Sequence, residues 1–134
     1  MLAQNFKSAA DLDITEAQKD ALIKTLVLLE TGKLEFTKSP GFSFLVDIDA
    51  KFTGHFNMAH WRRKTDCGTI GCIGGTAELV GDVTFDDYHE NEGLLSLFNP
   101  RDVSSWRNLT TEAAARALRS YLTTGDARWD LAVA

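Results

Sequence analysis

The chain has 134 residues, of which 44% are hydrophobic and 25% charged, and it carries a formal net charge of -5. That length suits one domain with a buried core, and the acidic balance argues against a nucleic-acid backbone as partner. No stretch approaches the roughly 18 apolar residues of a membrane span, and Met1-Leu2-Ala3-Gln4-Asn5-Phe6-Lys7 lacks the charged-then-apolar layout of a signal peptide.

Two cysteines do not make a secreted disulfide framework. We therefore expect a cytoplasmic protein with reduced thiols, with neither membrane nor nucleic acid among its partners.

In chain order, Asp13 and Thr15 offer helix caps, with Glu16 and Gln18 three residues on as capping-box partners. Ala17, Ala21, Leu22, Leu26 and Leu29 then recur at helical spacing, and Gly32 supplies a stop. The pattern predicts a helix over 15–31. Beyond it, Leu34-Glu35-Phe36 fits a short strand or an extended tether, and Ser39-Pro40-Gly41 is a turn signal. The apolar residues of 42–48 fit a strand or a short helix.

From Thr69 to Val80 the one charge is Glu78, which predicts an apolar and therefore central helix over 69–80. Gly71, Gly74 and Gly75 fall on one face of it. Each costs about 1 kcal/mol relative to alanine, so the face points to close approach by a neighbouring backbone. Gly81 ends this helix. Asp82, Asp86, Asp87, Glu90 and Glu92 then form an acidic loop, read as a solvated surface. Leu94, Leu95, Leu97 and Phe98 make a short helical patch that halts at Asn99-Pro100. Thr110 or Thr111 caps a last helix over 111–123, which Gly125 closes.

The helices at 15–31 and 111–123 start and finish alike, as Thr15-Glu16-Ala17 and Thr111-Glu112-Ala113 show. The expected fold is a single, mainly α-helical domain over 1–134 with those two helices bracing the helix at 69–80. A minor short β element is allowed for.

The run 66–75 holds both cysteines and four of the ten glycines. A cysteine just before a helix feels the positive end of its dipole, which favours the thiolate. Cys67 stands there on this reading, with the Gly68 and Thr69 N–H groups as oxyanion donors and His60 or His55 as base. The basic cluster Trp61-Arg62-Arg63-Lys64 would add positive charge nearby, or would simply be a solvated loop. Cys67 and His60 are thus the candidate catalytic pair.

A second option is zinc. His55, His60, Cys67 and Cys72 are spaced H-x4-H-x6-C-x4-C, which departs from the strong zinc patterns. The third reading, and the favoured one, treats the cysteines as small buried hydrophobes. Gly71-Cys72-Ile73-Gly74-Gly75 has neither dinucleotide nor Walker spacing, so no cofactor is expected. A calcium loop starting at Asp47 would lack its sixth-position glycine.

The segment Phe56-Asn57-Met58, Trp61 and the run 66–77, with Thr111-Glu112-Ala113-Ala114-Ala115-Arg116-Ala117-Leu118 and Thr124-Gly125, resembles a family. It is similar to small uncharacterised proteins of bacteria and their phages that carry a Cys-Gly-Thr-x-x-Cys-Ile-x-Gly motif. The resemblance implies a fold organised on the cysteine run and no established activity. With no complete catalytic set, the expected function is a non-catalytic module, of phage or mobile-element type, that binds another protein.

Overall fold

A computed structural model describes residues 5–37, 51–65, 68–100 and 106–133. Its elements are α1 (Ala9–Leu12), α2 (Glu16–Glu30), β1 (Glu35–Phe36), β2 (His55–Phe56), β3 (Arg62–Thr65) and β4 (Gly68–Gly71). There follow α3 (Ile73–Gly81), α4 (Glu92–Phe98), α5 (Thr111–Thr124) and α6 (Trp129–Ala132), with 3-10 turns at Tyr88–Glu90 and Trp106–Asn108. The turn at 39–41, the apolar run at 42–48, Asp47 and Cys67 lie outside the described residues.

The long helices form where capping chemistry directs. Thr15 and Gln18 make the reciprocal box, each side chain accepting from the other's backbone N–H at 3.0 Å. Asp13 is not the cap; it ends α1 in the left-handed region at φ 57°. Thr110 accepts from the Ala113 N–H, and Gly125, at φ 88°, closes α5.

The fold is rich in helix, as expected, but it is mixed α/β rather than purely α-helical. Four strands form one sheet in the order β1-β2-β4-β3, with β1, β2 and β4 parallel and β3 antiparallel to β4. The helix expected over 69–80 begins only at Ile73, and its first part is β4 instead. β-Branched Thr69 and Ile70 suit a pleated surface, and flanking Gly68 and Gly71 weaken a helix start. A short uncharged run marks burial, but buried strand and buried helix look the same at that length. The basic cluster is likewise no loop, since Arg62–Thr65 is β3.

The centre of the fold also moves. α2 packs against both α3 and α5, and Ala21, Leu22, Thr25 and Leu26 on it are wholly buried. The two similar helices therefore meet directly rather than bracing α3 from either side. Arg119 clips them together with two hydrogen bonds to the Glu30 carboxylate, at 2.8 and 2.6 Å. α3 approaches α2 at Gly81, where a Cβ would overlap Ala21. Gly81 is thus the last residue of the helix for packing reasons, while Asp82 takes the left-handed cap at φ 51°.

Candidate functional site

The strand-to-helix junction from β4 to α3 is where the cysteine run does its structural work. Cys72 is the N-cap of α3, and its Sγ accepts from the Gly75 N–H at 3.4 Å. Its own N–H donates to the Trp61 carbonyl at 3.2 Å, and its thiol faces the same oxygen at 3.7 Å. That carbonyl lies over Gly75, where a Cβ would overlap it, and the Trp61 indole covers Gly74 in the same way. The close backbone approach expected from the glycines is therefore present at Gly75, and its source is Trp61.

The cysteine at a helix start is thus Cys72, and it is sealed. It is 2% exposed, and burial pushes its thiol up to about 12, which outweighs the lowering from the Gly75 and Gly74 N–H groups. A protonated, covered thiol is a poor nucleophile at neutral pH. In a Cys67→Ser background, Cys72 should react with iodoacetamide at pH 7.5 only as fast as the chain opens. Rapid labelling of the folded protein would contradict this.

α3 begins at Ile73, so the helix start that the sequence places after Cys67 lies at Cys72 instead, and Cys67 itself is outside the described residues. His55, on β2, pairs through Nδ1 with the Thr37 hydroxyl at 3.1 Å. His60 follows β2 in a turn where its N–H donates to the Asn57 carbonyl, and it is buried at 6% exposure. Burial, aided by the Arg63 charge, holds its imidazole below the ordinary 6.5. Because the unfolded chain then binds the extra proton, stability should fall as pH drops below about 6.5. A urea series from pH 7.5 to 5 should show that slope, and His60→Gln should flatten it. Among the described residues, no group of three or more His, Cys, Asp or Glu could hold a metal ion.

Trp61 is also the hub of a buried polar and aromatic cluster. Its indole N–H donates to Glu78 Oε1 at 2.7 Å, and the Phe85 N–H donates to Glu78 Oε2 at 2.9 Å. Arg62 approaches the same carboxylate at 3.7 Å. The indole stacks on Tyr88 at 5.3 Å and meets Phe98 edge-on at 5.1 Å, geometries that aromatic quadrupoles favour. Glu78 thereby fixes the path of the chain leaving α3.

That path forms one wall of an open groove of about 540 Å³. Asp13, Ile14, Thr15 and Gln18 line the opposite wall, and Phe85, Tyr88 and Leu94 supply apolar surface. Two side chains tie the walls together. Gln18 donates to the Thr84 carbonyl at 2.8 Å, and Asn91 donates to the Leu12 and Asp13 carbonyls at 3.2 and 3.0 Å. Asp13, Asp86, Asp87 and Glu90 border the groove, all exposed, and none makes an ion pair among the described residues. By contrast Glu30, Glu78 and Asp130 each face an arginine.

No family model, curated protein or solved structure matches the chain. The functional reading accordingly rests on the geometry above. The structure brings Cys72 to Trp61, whereas Cys67 of the candidate pair lies outside the described residues. Sequence reasoning found the acidic loop but missed Asp13 across from it, because Asp13 reads there as a helix cap. It noted Glu78 as the lone charge of its run, which was the available signal for the Trp61 and Phe85 hydrogen bonds.

Proposed function

We propose that the chain is a non-catalytic binding module, and that the groove between α2 and the 84–94 segment receives a lysine- or arginine-bearing segment of a partner protein. One observation carries this reading: exposed carboxylates without a described counter-charge gather on a groove whose walls are cross-tied. A groove already shaped loses little ordering entropy on binding, and unopposed carboxylates attract cationic side chains over roughly a Debye length of about 8 Å at physiological salt.

The test is a fluorescence-anisotropy titration with a labelled peptide that alternates Lys or Arg with Leu, beside a control carrying Glu at the cationic positions. The first peptide should bind, more weakly as salt rises, and Asp86→Lys with Asp87→Lys should reduce its affinity at least tenfold. Cys67→Ser should bind as the parent does. Equal affinity of the charge-reversed variant would overturn the groove assignment. Loss of binding in Cys67→Ser alone would turn the reading toward the thiol.

A further inference from the structure

We draw no further inference here: the strongest candidate, the cavity of about 720 Å³ between the start of α4 and the turn joining α5 to α6, with Leu131 and Val133 exposed at the α6 end, has nothing in the structure to show what covers it.

Discussion

Gly75→Ala should cost about 3 kcal/mol or more, at or beyond the upper end of ordinary overpacking and a large share of a typical domain's stability. A Cβ at this position would overlap the carbonyl oxygen of Trp61, and the Trp61 carbonyl carbon and Arg62 nitrogen also lie close. These are main-chain atoms. No rotamer change removes them, and moving them would break the Cys72 N–H bond to the same carbonyl and the β3–β4 pairing that starts one residue on.

Its neighbour supplies the control. A Cβ at Gly74 would meet the Trp61 ring, which is side chain. Trp61→Ala should therefore rescue much of the damage in Gly74→Ala and none of it in Gly75→Ala. Urea unfolding of the three single and two double variants measures both cycles. Rescue at position 75 would mean that the carbonyl contact is not what the glycine serves. Gly32→Ala, at φ 72° with open space around it, should lose only about 1 kcal/mol from backbone strain.

Glu78→Ala should cost about 3–4 kcal/mol. The carboxylate is 7% exposed and accepts from two donors, the Trp61 indole and the Phe85 backbone. Its removal leaves the buried Phe85 N–H and the part-buried indole N–H without their acceptor, at about 1–3 kcal/mol each. The Arg62 approach at 3.7 Å is too long for a strong hydrogen bond and adds little to this sum. Glu78→Gln keeps one acceptor oxygen and turns a donor toward the other partner, so it should cost about half as much. Urea midpoints at unchanged m-value report both losses. A near-neutral Glu78→Ala would show that water or another group takes over the two donors. The same variant should weaken peptide binding, since Phe85 lines the groove.

Much of the helical framework is legible in the sequence because its signals are local. Thr15 with Gln18, Thr110, Gly32 and Gly125 mark helix ends through bonds within one turn, and α2 and α5 follow those marks. The sheet is not legible in that way. β1 and β2 hold two residues each, too few for an alternation to register, and they pair with strands far along the chain. Cys72 misled for a related reason. Its position between Gly71 and Ile73 gives no sign that a strand ends and a helix begins there, so Cys67 took the role that Cys72 fills. The groove was half legible. Asp86, Asp87 and Glu90 lie close in sequence, but Asp13 joins them only through α2 and the Gln18 and Asn91 hydrogen bonds.

The β3–β4–α3 segment has a consequence for how the chain acquires its structure. Thr65 faces Gly68, so β3 and β4 pair between residues close in sequence, and α3 follows after Cys72 alone. The Trp61 carbonyl and the α3 residues it meets all belong to this one stretch. Closing such short loops takes microseconds or less, whereas docking α5 on α2 joins the two ends of the chain and must bear a larger loop entropy. The glycine contact can therefore form in the nascent segment, giving the slower parallel strands β1 and β2 an edge to assemble on.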